Sequence, residues 1–324
     1  MSTESATTGN ETQLSVYLRH LIAFIAIGAA LYLGSTFWAG WHEILASLQR
    51  IGASVLCMGG ALASTAYLWR YLRWRFCLRH MGYDVPLWRD LKIYLSGLAL
   101  TTSPGKVGET IRSLLLLPHQ VKATHSVGAF LADRLSDVIG VCLLGVVAST
   151  INEAPDEWLL GIALVLLVTA FAISFGLRRS YIDGAWIWLE RRVKWLRIRA
   201  GLDIMKSWSR LWQGRRVALF ILIAGIAYGT QGAVFYWLCT RLDIAISMAT
   251  AIEIFVNATL IGAASMVPGG LGPMEASLVF QLSAMGVENA TAISIAIASR
   301  LLTLWLGIFM GTASLLSVSR GFRL

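Results

Sequence analysis

Two polar stretches interrupt an otherwise apolar chain: SPGKVGETIR, from Ser103 to Arg112, and VPGGLGPMEA, from Val267 to Ala276. Each carries Pro-Gly, a further Gly three residues after that Gly, and then a Glu. These are Pro104, Gly105, Gly108 and Glu109 in the first, and Pro268, Gly269, Gly272 and Glu275 in the second, where Gly270 adds one more glycine. Each Glu has an Arg 25 residues downstream, Arg134 for Glu109 and Arg300 for Glu275. Pro-Gly breaks a helix, and backbone that leaves the helix inside a bilayer must line a cavity or be buried in protein. The segment after each break begins with free N–H groups and a positive dipole end. Together with Arg134 and Arg300 these make an anion site suited to a phosphate. Lys106 and Arg112 extend that site toward the cytoplasm. Asp133 and Asp137 share a face of the helix that carries Arg134, so the second acid is placed to pair with another helix. The Glu–Arg pairs admit two roles, binding substrate or clipping each break to the next helix. The cost of four or more intramembrane charges beside broken helices favours the first.

The elements that must position these groups are membrane helices. Of the 324 residues, 56% are hydrophobic and 14% charged, against about 25% charged in a soluble domain. Apolar runs of roughly 20 residues recur, long enough to cross a hydrocarbon core of about 30 Å. They are continuous rather than alternating, which excludes strands. The net charge is +9, but the basic residues sit in loops between apolar runs. That distribution points to cytoplasmic orientation and anionic phospholipid, not nucleic acid. Cys57, Cys77, Cys142 and Cys239 are scattered and show neither metal nor disulfide spacing. No nucleophile elbow, metal set or Walker loop is present, so no enzyme activity and no cofactor are expected.

Taken in order, residues 1–15 form a polar tail and 16–318 a single membrane domain. Spans are expected at Val16–Phe37, Ile51–Phe76, Ala123–Thr150, Leu159–Leu177, Val217–Thr240 and Ala290–Val318. Arg70, Arg73, Arg75, Arg79, Arg89 and Lys92 mark a cytoplasmic face. The arm Leu91–Ser103 is too short to span. If the first motif crossed the membrane, the loop from Arg178 to Arg216, with eleven Lys and Arg, would fall outside. A re-entrant hairpin keeps it inside, as the positive-inside rule prefers. The second motif, within Ile244–Met285, is then a hairpin entered from outside. The expected architecture is an all-α polytopic membrane protein, six transmembrane helices plus two re-entrant hairpins, both termini cytoplasmic. Its halves, about 16–150 and 158–318, form an inverted repeat as in secondary transporters. Within the basic loop, about 181–216, Trp186, Leu189, Val193 and Leu196 recur at helical spacing among Arg and Lys, joined by Trp195, Trp208 and Trp212. One or two amphipathic helices on the cytoplasmic leaflet are expected there. Residues 319–324 form a cytoplasmic end.

At SPGKVGETIR, at the downstream ADRLSDVIG, and at VPGGLGPMEA with its later SRLLTLWLG, the chain resembles the transmembrane region of the lysylphosphatidylglycerol synthase family, a flippase-like membrane domain. The resemblance covers roughly residues 15–318. It implies lipid translocation across a bacterial or archaeal cytoplasmic membrane, with Pro104, Gly105, Glu109, Arg112, Asp133, Arg134, Pro268, Gly269, Glu275 and Arg300 as motif residues. Synthase members carry a soluble aminoacyl-transferring domain for which this sequence has no room, so aminoacylation is not expected. Relatives without that domain are associated with envelope lipids, including polyprenyl-linked ones. The reading is therefore a translocase of a phosphate-bearing or polyprenyl-linked lipid. The alternatives are a secondary transporter of a small anion and a non-transporting partner of a lipid-biosynthesis enzyme.

Overall fold

A computed structural model describes residues 49, 51–178 and 198–321. Every regular element among them is helical. The long helices are α1 (Ala53–His80), α4 (Ala123–Ile151), α5 (Glu157–Arg178) and α7 (Gly214–Arg241). The chain ends on a composite helix: α10 (Asn289–Arg300), a π turn (Leu301–Trp305) and α11 (Leu306–Gly321). Shorter helices are α2 (Leu87–Leu98), α3 (Ile111–Leu115), α6 (Ile198–Leu211), α8 (Met248–Ala264) and α9 (Pro273–Ala284). At 1.5 Å per residue, the 28 residues of α1 reach about 42 Å, enough to cross a bilayer. Glu157–Leu177, Gly214–Arg241 and Asn289–Val318 are long and apolar enough to do so by composition as well.

Local signals explain the starts. Asp156 Oδ1 accepts from Leu159 N–H at 3.1 Å, and Ser247 Oγ accepts from Thr250 N–H at 3.0 Å, capping α5 and α8. Along α5 only a stripe including Leu159, Ala163, Ala170 and Leu177 is buried, while Ile162, Leu164, Val165, Val168 and Phe175 are exposed. A helix that turns apolar side chains both inward and outward is one surrounded partly by lipid. Trp158 and Trp88 stand at the exposed starts of α5 and α2.

Two apolar cores hold the bundle. One joins Val234 and Phe235 of α7, Phe255 of α8, Leu278 of α9 and Ile295 of α10. The other joins Trp74 of α1, Tyr94 of α2, Ile139 of α4, Trp208 of α6 and Phe220 of α7. Two segments fold back on themselves. Gln281 Nε2 of α9 donates to Ile254 O of α8 at 3.3 Å, while Gly262 of α8 lies against Met274 of α9, so α8 and α9 run antiparallel. Before α2, Tyr83 OH lies 2.9 Å from His125 Nδ1 and accepts from Lys122 N–H at 3.3 Å. After the first motif the chain therefore comes back beside the segment from which it set out.

Several expectations change. The first expected span, Val16–Phe37, and the stripe at Trp186–Leu196 with Trp195 lie outside the described residues. The arm before the first motif ends at Leu98 rather than Ser103. Arg70 and Arg73, expected as flanking charges, are buried, at 6% and 0% exposure. The six-residue count of cytoplasmic charges thus loses two. The part of the amphipathic segment that is described, α6, packs against protein at its C-terminal end. Trp208 and Trp212 are buried, their rings stacked 5.7 Å apart. Ser174 of α5 donates to Ser209 O and Trp212 O at 3.2 Å, and Gly128 of α4 leaves room for Ser207. The apolar face of α6 packs on α4 and α5.

Candidate functional site

The first motif forms a tip after α2. Pro104–Thr110 is a 3-10 turn in which Gly105 and Lys106 adopt left-handed conformations, φ 59° and 57°. Glycine does so freely; a lysine gives up about 1–2 kcal/mol. Gly108 N–H donates to Ser103 Oγ at 2.6 Å, and a Cβ at Gly108 would sit 2.7 Å from Leu100 Cβ. That glycine is what lets the turn close. Glu109, buried, accepts from Thr101 Oγ1 at 2.9 Å and from Arg112 Nη2 at 2.8 Å. Arg112 Nε donates to Tyr94 O at 3.1 Å, and its guanidinium lies over the Tyr94 ring at 4.1 Å. Arg112 thus faces α2, not the open space beside the tip, and it clips α3 to α2.

The second motif forms the matching tip. Gly269, Gly270 and Gly272 have φ of 63°, 65° and 93°, and Pro268 starts the turn. Glu275 Oε2 accepts from Gly272 N–H at 2.8 Å, so the start of α9 is capped by its own carboxylate; glycine has no side chain to return the bond. Glu275 Oε1 accepts from Arg300 Nε at 2.7 Å. Arg300 Nη1 meets Met274 Sδ at 3.1 Å, and Nη2 donates to Gly269 O. All three guanidinium nitrogens are engaged with the second tip. Two opposed helix N-termini are not present, because the first tip leads into a 3-10 turn and the five residues of α3.

The tips meet. A Cβ on Gly269 would lie 3.2 Å from Thr102 Cγ2, and one on Gly105 3.8 Å from Met266 Cε. Behind them, Arg73 of α1 is bracketed by the acids of α4: its Nε donates to Asp133 Oδ1 at 2.8 Å and its Nη2 to Asp137 Oδ1 at 2.6 Å. Four residues on a helix bring the two carboxylates to one face, so Asp137 does pair with another helix, and Asp133 with it. Arg134 Nη2 lies 3.2 Å from Asp137 Oδ2 and 3.7 Å from Glu109 Oε2, joining α4 to the first tip. One turn before Arg73, Arg70 has different company. Its guanidinium lies over the Tyr228 ring at 4.4 Å, and its Nη2 reaches Gln231 Oε1 at 3.5 Å. Its Nε, buried, has no hydrogen-bond partner.

A cavity of about 290 Å³ opens between the tips and α1, α4 and α7. Its charged walls are Arg70, Lys106, Glu109, Arg134, Asp137 and Arg300. Five of these six are residues the motifs single out. Arg112, Asp133 and Glu275 stand behind the wall, and Gly105, Gly269 and Gly270 form part of it. Arg70, Arg73 and Gln231 are site residues that the motifs do not reveal. Their only signal is an Arg pair at helical spacing and a lone Gln inside an apolar run. Tyr67 OH, also on the wall, donates to Thr303 O in the π turn, where the helical ladder is interrupted. Among the described residues no group of three His, Cys, Asp or Glu side chains gathers as a metal site needs.

This geometry falls within a region shared with known proteins. A UPF0104 membrane protein of Pyrococcus horikoshii is 22% identical over 314 residues, 89% of this chain and 94% of its own length. A UPF0104 membrane protein of Methanothermobacter thermautotrophicus is 24% identical over 315 residues, 90% and 93% respectively. A second from that organism is 23% identical over 310 residues, 89% and 90%. The family model described as the lysylphosphatidylglycerol synthase TM region matches residues 25–311, which takes in both tips, the acid pair of α4 and Arg300; the chain belongs to that family.

Proposed function

We propose that this membrane protein is a lipid translocase, carrying a phosphate-bearing or polyprenyl-linked lipid between leaflets of the cytoplasmic membrane without enzymatic conversion. The observation that carries the reading is the charged cavity at the meeting point of two broken helical segments. Charges buried at membrane depth are costly and mark substrate paths. Here six line one cavity, and the backbone beside them is irregular on both sides.

In this reading the chain crosses the bilayer six times and the two folded-back segments are re-entrant hairpins of an inverted repeat. The contact of Tyr83 with Lys122 and His125 supports the first hairpin, and the antiparallel pairing of α8 with α9 supports the second. The headgroup occupies the cavity, and the acyl or prenyl chains stay in lipid. Arg134 and Arg300 hold the walls by their carboxylates, and exchange of those contacts alternates access between leaflets. The test is headgroup accessibility of fluorescent lipids in proteoliposomes. Native protein moves at least one phosphate-bearing lipid, and Arg134→Ala and Arg300→Ala each reduce movement at least tenfold in folded protein. Transport that survives both changes removes these arginines from the mechanism.

A further inference from the structure

Among the described residues the charges of the site do not cancel, and the remainder has a definite location. The carboxylates Glu109, Asp133, Asp137 and Glu275 answer the guanidiniums of Arg73, Arg112, Arg134 and Arg300. Two cations of the site are left, Arg70 and Lys106. Among the described residues neither has a carboxylate within 4 Å. Among the described residues the hydrogen-bond and ring partners of Arg70 are a tyrosine ring and a distant glutamine oxygen, and its Nε bonds none of them. Lys106 sits on the tip in a left-handed conformation that disfavours any side chain. Both line the cavity. An arginine already bound to a carboxylate has little field left for a ligand, whereas a buried unpaired one is unstable until an anion arrives.

We infer that Arg70 and Lys106 together bind a doubly charged phosphate monoester headgroup. This rests on the translocase reading and narrows its substrate. A dianion answers both free cations. A phosphodiester, with one negative charge, leaves one of them unanswered. A zwitterionic headgroup brings a cation of its own, and every carboxylate lining the cavity is already taken. Arg70 supplies a planar fork with unused donors, and Lys106 a mobile point charge, a pairing suited to a terminal phosphate with three oxygens.

The experiment is calorimetric binding to the full chain in nanodiscs of neutral lipid at pH 7, where a phosphate monoester, with a second pKa of about 6, already carries most of its second charge. The probes are dodecyl phosphate, its methyl ester and inorganic phosphate. Dodecyl phosphate is expected to bind native protein at least tenfold more tightly than the methyl ester. Arg70→Gln is expected to abolish that preference. Lys106→Gly removes charge and backbone strain together, and should do the same without lowering the thermal unfolding midpoint. Equal binding of ester and monoester to native protein overturns the inference and leaves the translocase reading standing. Binding of dodecyl phosphate unchanged in Arg70→Gln and Lys106→Gly also overturns it. Inorganic phosphate binding as tightly as dodecyl phosphate keeps the dianion site and overturns the lipid reading, favouring a small-anion transporter.

Discussion

At the residue scale the site divides into charges that hold the protein together and charges that are free. Arg73 is of the first kind: fully buried, it donates to two carboxylates and to Phe220 O at 3.3 Å. Removing one partner of a buried ionic group leaves uncompensated charge, a loss of about 3–5 kcal/mol. Arg73→Met is therefore expected to lower the thermal unfolding midpoint of the purified protein sharply. Arg73→Lys, which keeps the charge but not the fork, is expected to lower it less. The matched spacing of Glu109 to Arg134 and Glu275 to Arg300 is readable in the sequence, because a repeated interval needs no tertiary knowledge. The actual pairing is only half readable. Glu275 does bind Arg300 at 2.7 Å, but Glu109 takes Arg112 at 2.8 Å and meets Arg134 only at 3.7 Å. Arg70 and Arg73 mislead because a cation near the end of an apolar run looks the same whether it faces headgroups or the protein interior.

At the element scale the two interruptions are legible and their consequences are not. Pro-Gly announces a break, and both tips turn at the glycine directly after the proline. Beyond that glycine the two segments diverge. The second tip starts a 12-residue helix and the first a 3-10 turn and five helical residues, a difference that Arg112 stabilises by reaching back to α2. Gly97 makes that reach possible, since a Cβ there would overlap Arg112 Nε. Gly97→Ala is expected to detach the first tip. It should raise protease sensitivity at residues 99–110 and reduce transport as strongly as Arg112→Ala does. The fate of α6 shows the opposite error. Its amphipathic pattern is plain, but the pattern does not say whether protein or lipid covers the apolar side, and Trp208 and Trp212 are covered by protein.

At the scale of the whole molecule, the helical membrane class comes from composition alone, because continuous apolar runs of that length have few other uses. Which segments cross and which turn back depends on charge arguments. The structure adds contacts that local patterns do not contain, Tyr83 with His125 above all. The hairpin reading predicts that single cysteines at Asp84 and Gln120 in an otherwise cysteine-free chain are labelled from the cytoplasmic side. One at Glu153 is then labelled from the opposite side. Labelling of Asp84 and Gln120 from opposite sides would show that the first motif crosses.

The meeting of the tips, Gly269 against Thr102 and Gly105 beside Met266, has a bearing on the cell. If the two tips are re-entrant plugs, their contact closes the water path from one face to the other. A cell making this protein is then expected to keep its membrane potential. A bulky side chain forced between the plugs, as in Gly269→Leu, is expected to make it leak ions.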